Sequence, residues 1–480
     1  MANVQAEASG LPHGESALEF SFQVKGIASL LLLGLLLRLV LATLPGFSVD
    51  IGTFSAWAND LALNGPWDFY RADYFTDYAP GYMYVLLFIG KLNQEFHLSP
   101  GQMEYVLKLP SIAADLASAY LLYKLLAGKK MEVRLGAAAL YLLFPASLLI
   151  GAIWGQVDSL LALFLLLSVY FIGRDRPVAG AVAYTVGFLM KPQAIAALPF
   201  LALWIIRERW PNWSDERSTR QALLLWLKCA AAGFGTLLVL ITPFFELEPW
   251  RLIEVLYNAT NVQNYRVNSF FAYNFWNMGG LFDWGFKCDV GLGDCASDAH
   301  NTVFLGVVTR FWGLAMFAAG LAAVLLVLRR AQGMGMLALG TALSVLVFYL
   351  FLTRMHERYV FAFFLPFLAA CALLESRALW AAFAGLSALH FANLYHVFIA
   401  YYPNDGTGGI GAGPDLGPSL KVGGIYKWFE KGDFFGVSLP LLGRLATVQV
   451  LSILMVAAFF LLLATAYVLE SRRRRQAAPA

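Results

Sequence analysis

Charge is what this chain has least of. Only 14% of its 480 residues are charged and 59% are hydrophobic, against roughly 25% charged in an ordinary soluble domain. So little charge cannot cover a water-exposed surface, which excludes a soluble globular protein and points to a polytopic membrane protein. The net charge of +3 comes from short scattered clusters, and without one basic face a nucleic-acid partner is excluded. Cysteine is scarce too: four residues make no disulfide framework. Cys229 and Cys371 lie in apolar runs, whereas Cys288 and Cys295 share a polar loop in which one local disulfide can form. Around His356 no second histidine stands at ligand spacing, His390 and His396 lying elsewhere, so a metal centre is not expected. The Gly- and Pro-rich loop 403–424 has no phosphate-loop pattern. There is no internal repeat to suggest the inverted halves of many transporters.

What the chain has in abundance is apolar runs. Taken at about 17 to 25 residues per span, they predict an all-α fold of about 12 transmembrane helices, at 26–45, 103–127, 134–152, 156–173, 177–190, 192–206, 221–243, 302–328, 334–352, 357–375, 378–398 and 445–469. The two runs beside Lys191 are short and suit a broken or re-entrant hairpin. With residues 1–25 as a cytoplasmic tail, 26–470 as one transmembrane domain and 471–480 as a basic cytoplasmic tail, the clusters GKKMEVR, GRDRP, RRAQ and SRRRR fall on one side, as the positive-inside rule requires. The outer connections are then 46–102, 153–155, Lys191, 244–301, 353–356 and 399–444.

Polar and aromatic motifs gather on that outer side. Pro45 to Tyr82 is too polar for lipid and too aromatic for a solvated loop, which predicts interfacial helices, with 81–96 as a second one. Trp57, Trp67, Phe69, Tyr70, Tyr74 and Tyr78 read as interface-facing rings. Asp50, just beyond the first run, is placed to take a proton from a hydroxyl; it and Ser48 equally suit a helix cap. Asp73 and Asp77 are further acids able to cap or to contact a ligand hydroxyl. In Trp154-Gly155-Gln156-Val157-Asp158-Ser159, Gln156 and Asp158 can bond sugar hydroxyls and Trp154 can stack, or Asp158 can cap the next helix. Lys191-Pro192-Gln193 breaks an apolar stretch beside a cation, which suits an anion or a snorkelling lysine. Thr353 to Tyr359 packs Arg354, His356, Glu357 and Arg358 at the end of a span, a density of charge that suits phosphate. Asn274 and Trp276, in RVNSFFAYNFWN, can contact sugar or anchor the interface. Within the membrane, Arg38, Lys108 and Asp115 are expected to pair among themselves.

In this order, Asp50, Asp77-Tyr78-Ala79-Pro80-Gly81-Tyr82, WGQVDS, KPQ, YNFWN and TRMHERY resemble the GT-C superfamily of polyprenyl-phosphate-dependent glycosyltransferases, most of all the bacterial relatives of the second GPI-anchor mannosyltransferase. The resemblance implies a multi-pass enzyme of the bacterial cell membrane with cytoplasmic termini. It would transfer a hexose, with mannose first in line, from a polyprenyl-phosphate-linked donor to a glycan, lipid or protein hydroxyl at the extracytoplasmic face, without a metal or other cofactor. By the same resemblance Asp50 is the general base. Arg354, His356, Arg358 and Lys191 hold the donor phosphate, and Asp77, Tyr78, Trp154, Gln156, Asp158, Gln193, Asn274, Trp276 and Glu357 contact sugar or acceptor. The alternative is a transporter or flippase of lipid-linked sugars, with Arg38, Lys108, Asp115 and Lys191 lining its pathway.

Overall fold

A backbone surrounded by lipid must satisfy its own N–H and C=O groups, and each long apolar run is accordingly carried largely by helix in the computed structural model. It describes residues 17–71, 74–208, 214–246, 248–258, 267–279, 303–400, 437–439, 443–445 and 447–477. Asp73, Cys288, Cys295 and the loop 403–424 lie outside them. The main helices are α1 (Ala17–Leu41), α2 (Ser48–Asn64), α3 (Pro80–Phe96), α4 (Pro100–Leu125), α5 (Met131–Leu142), α6 (Asp158–Gly173), α7 (Pro177–Met190), α8 (Leu198–Glu208), α9 (Glu216–Phe245), α10 (Arg251–Asn258), α11 (Thr309–Leu328), α12 (Met334–Phe351), α13 (Phe361–Leu374), α14 (Arg377–Ala400) and α15 (Thr447–Ala477). The described strands are two or three residues long.

Among the described residues five helices are long and apolar enough to cross a membrane, six if Met131–Leu142 and Pro145–Trp154, bent by 42°, form one span. Length and apolarity thus single out five or six spans where the sequence predicts about twelve. Helices such as α6 and α7 stop after 16 and 14 residues at polar turns. The outer helices leave apolar side chains uncovered, Leu33 and Val40 on α1, Phe311 and Leu326 on α11, and Phe460 and Leu461 on α15. Such a surface is at home only in hydrocarbon, and the chain is an integral membrane protein.

The two ends differ from expectation. Helix α1 reaches back to Ala17, into the stretch read as a tail, and α15 runs through the SRRRR motif to Ala477. Helices α12 and α13 form the dry centre, with Met336 to Leu346 and Phe361 to Ala372 almost wholly buried.

A second apolar cluster surrounds α2 and α3 and positions the first loop. Trp57, Phe69, Tyr70 and Tyr78, read as interface-facing rings, are instead buried here with Phe54, Tyr82, Leu86 and Phe244. They meet edge to face, Phe54 on Tyr82 at 5.2 Å and Tyr70 on Phe244 at 5.8 Å, because packing against neighbouring rings removes more apolar surface than lying at the interface. Trp67 and Phe75 remain exposed. In α3, Gly81 sits where an added Cβ would come within 2.6 Å of the Leu189 backbone. Glycine there lets α3 press onto the end of α7 just before Lys191.

Candidate active site

Asp50 stands in the first turn of α2, where the helix N-terminus favours a negative charge. It does not cap the helix, and neither does Ser48: the cap position is Phe47, which makes no side-chain capping bond. The Asp50 carboxylate instead accepts a hydrogen bond from Trp154 Nε1 at 2.8 Å. Trp154 is fully buried, its ring wedged between Phe47 and Phe398 at 5.5 and 5.2 Å. The residue expected to offer a stacking face to a sugar is therefore a rigid positioner of Asp50.

The chain brings Trp154 there through a π-helical turn, Leu148–Trp154, that ends on Gly155 at φ 89°. A side chain at Gly155 would be strained in that conformation and would meet Ile51 Cδ1 at 2.6 Å. The turn is pinned by Phe47 N–H to the Trp154 carbonyl, 3.1 Å, and by the Ser111 hydroxyl to the Gln156 carbonyl, 2.5 Å. On the other side of Asp50, Lys108 binds Glu104 at 2.7 Å and the carbonyls of Ala42 and Leu44, while Glu104 accepts from Gly46 N–H at 2.6 Å. Lys108 therefore ties down the approach to α2 and does not pair with Asp115, as expected from their shared face. Only the Arg38–Asp115 pair of that expectation forms, at 3.1 Å.

Beyond Trp154 the motifs close into a ring of contacts. Gln156 Oε1 accepts from the Tyr78 hydroxyl at 3.1 Å. Asp158 pairs with Lys191 at 2.8 Å, both side chains buried, so Lys191 is no snorkelling lysine. It sits at the helix break before Pro192, its ammonium 5.6 Å from the ring centres of both Tyr78 and Tyr359. Arg358 lies 5.7 Å from the Tyr359 ring and 5.9 Å from that of Trp154, and donates to Glu357 at 3.1 Å. His356 packs against Tyr359 and Phe270. Tyr359 is the residue sequence reasoning passed over. The last letter of TRMHERY was its only signal, and its ring lies beside Lys191, Arg358 and His356.

Electrostatics tie Asp77 to this ring. Asp77 is half-buried. Burial first, then the charge of Asp50, push its carboxyl up to about 6, against the pull of Arg358 and Lys191. His356 is driven well below its ordinary range, by burial and then by Arg358 and Lys191. The neutral imidazole is therefore favoured, and it can offer a phosphate an N–H and no charge.

Several polar atoms on this ring are open. Among the described residues Gln156 Nε2, Asp158 Oδ2, Gln193 Oε1 and the Tyr82 hydroxyl are buried without a hydrogen-bond partner, a rare condition that a hydroxyl-rich ligand would relieve.

Other expected site residues serve elsewhere. Asn274 is buried and donates to the Tyr349 carbonyl, and Trp276 Nε1 donates to the Phe351 carbonyl at 2.9 Å. They fasten their segment to the end of α12 and expose no face to a sugar. The backbone of Arg354, near His356 in the site motif, is fixed at φ 66° by its own N–H, which bonds the carbonyls of Val267 and Asn268. Next to it Ser269–Phe270 pairs in parallel with Met355–His356, so the YNFWN and TRMHERY motifs meet through main chain. Among the described residues no group of three His, Cys, Asp or Glu side chains can hold a metal ion.

No curated protein matches the chain. The model of the ALG6, ALG8 glycosyltransferase family matches residues 91–399, close to two thirds of the sequence, and takes in the WGQVDS, KPQ and TRMHERY motifs. With Asp158, Lys191, Glu357 and Arg358 of the matched segment gathered around the ring of Tyr359, the chain belongs to the ALG6, ALG8 glycosyltransferase family and is a membrane enzyme of the GT-C type that uses lipid-linked sugar donors.

Proposed function

We propose that the protein transfers a hexose from a polyprenyl-phosphate carrier to an acceptor hydroxyl at the extracytoplasmic face, with inversion, and that Asp50 is the general base. The observation that carries this is the Trp154–Asp50 hydrogen bond, which aims a carboxylate at the ring holding Lys191 and Arg358. In the reaction the acceptor O–H gives its proton to Asp50 as its oxygen bonds to the anomeric carbon. The bond from that carbon to the phosphate oxygen breaks, and polyprenyl phosphate leaves as an anion. Arg358 supplies fixed positive charge to the departing phosphate, Lys191 shares its ammonium between Asp158 and the phosphate, and neutral His356 donates a hydrogen bond. Gln156, Asp158, Gln193 and Tyr82, with their open polar atoms, contact the sugar hydroxyls; Tyr78 positions Gln156, and Glu357 positions Arg358.

The resemblance to bacterial relatives of the second GPI-anchor mannosyltransferase makes mannose the first sugar to try and the bacterial cell membrane the place to look. The acceptor, whether glycan, lipid or protein, follows from the product. Asp50→Asn in the purified protein, given a polyprenyl-phosphate hexose and an acceptor from the same membranes, should lower turnover by about a thousandfold while its unfolding midpoint stays unchanged. Turnover within a few fold of the parent would remove Asp50 as the base.

A further inference from the structure

At the end of the bundle that carries the basic connections, the turn between α11 and α12 and the last turns of α15 enclose a cavity of about 550 Å³ lined by Arg330, Gln332, Met336, Glu470, Arg473 and Arg474. None of its lining residues belongs to the ring around Asp50. Three arginines face one carboxylate across it. Glu470 is only 2% exposed; one oxygen is bonded by Arg474, and the other has no hydrogen-bond partner among the described residues. Arg207 lies behind it, bonded to the Leu328 carbonyl at 3.0 Å and within the field of Glu470.

A basic connection that only sets orientation needs positive charge and nothing more. It gives no reason for a carboxylate held under the arginines with one oxygen open, because such an oxygen is costly unless something donates to it. The surroundings show where the donor comes from. Leu326, Tyr467 and Val468, about one turn deeper on α11 and α15, are exposed apolar side chains of 61%, 59% and 43%. The cavity therefore opens onto surface that faces acyl chains, and basic pockets between helices at this depth suit lipid headgroups.

We infer that this cavity binds the headgroup of an anionic glycerophospholipid that carries a free hydroxyl, its phosphodiester between Arg330 and Arg473 and its hydroxyl donating to the open oxygen of Glu470. Arginine forks match phosphate oxygens in pairs, and the Glu470 contact selects among anionic headgroups by their hydroxyls.

The test is thermal unfolding of the full-length protein in neutral detergent, with phosphatidylglycerol, phosphatidic acid, phosphatidylcholine or inorganic phosphate added. Phosphatidylglycerol should raise the midpoint by several degrees, phosphatidic acid by less, and phosphatidylcholine and inorganic phosphate hardly at all. Arg330→Gln with Arg473→Gln should abolish most of that rise. Arg472→Gln with Arg475→Gln, equal in charge on the same helix but outside the lining, should keep it. Equal losses in the two pairs would mean a diffuse basic patch, and a full rise with inorganic phosphate would mean a soluble-anion site; either result overturns the inference. Should the first pair fail to fold, Glu470→Gln decides: it should bring the phosphatidylglycerol response down to that of phosphatidic acid, and an unchanged gap would overturn the assignment.

Discussion

Two buried ion pairs in this molecule look alike in the sequence and differ in the structure. Arg38 gives hydrogen bonds to Asp115, the Leu142 carbonyl and the Ser147 hydroxyl, and the second oxygen of Asp115 accepts from Tyr141 at 2.9 Å. That pair is saturated. Among the described residues Lys191 meets Asp158 alone by hydrogen bond, Asp158 keeps one oxygen open, and Gln156 and Gln193 hold open atoms as well. A buried charge whose valences are all filled fastens helices together, whereas one whose neighbours are short of partners is set for a ligand. The difference separates scaffold from site better than burial or charge does.

The contrast breaks most visibly at Arg38. Arg38→Met strands the Asp115 carboxylate and should cost about 3–5 kcal/mol of stability, while the fraction that still folds turns over normally. Lys191→Met should cost less stability, since fewer bonds are lost, and should abolish turnover; unfolding in detergent and a transfer assay on the same samples read both effects. A folded Lys191→Met with full turnover would erase the distinction. A smaller effect sharpens it at Trp154. Trp154→Phe keeps a ring between Phe47 and Phe398 and removes the donor to Asp50, so turnover should fall by about tenfold to a hundredfold with KM unchanged.

A further effect concerns pH. Asp77 has an ordinary value of 3.8 and a folded value of about 6, so folding favours its protonated form. The stability this adds is complete below its ordinary value and is lost as pH rises through about 6. Parent protein should therefore lose unfolding midpoint across that interval relative to Asp77→Asn, whose midpoint should vary less. If the two profiles run parallel, burial and the charge of Asp50 do not raise the Asp77 carboxyl as the structure implies.

The motifs that meet around Asp50 could be read from residue order, because stretches such as WGQVDS and TRMHERY place polar groups where an apolar chain should have none. Membrane residence, helical character and the break at Lys191-Pro192 were legible for the same reason, since lipid tolerates little else. Partners were legible only in part, since the expected Arg38–Asp115 pair forms and the expected pairing of Lys108 does not. Lys108 and Asp115 share a helix face, yet one turns to Glu104 and the other to Arg38. The rings of the first loop read as interfacial because aromatic character is visible in a sequence and the neighbouring ring that buries it is not. Trp154 read as a sugar platform for that reason, and Asn274 and Trp276 as ligand contacts, until the carbonyls of α12 claimed them.

By itself, then, the amino-acid order determined the solvent this protein lives in, the helices that solvent demands, and the positions where charge interrupts them, because each follows from transfer of local segments between water and hydrocarbon. Only the tertiary structure decided which charges are filled and which are open, since a hydrogen bond between residues a hundred positions apart, such as that from Trp154 to Asp50, depends on how the helices pack.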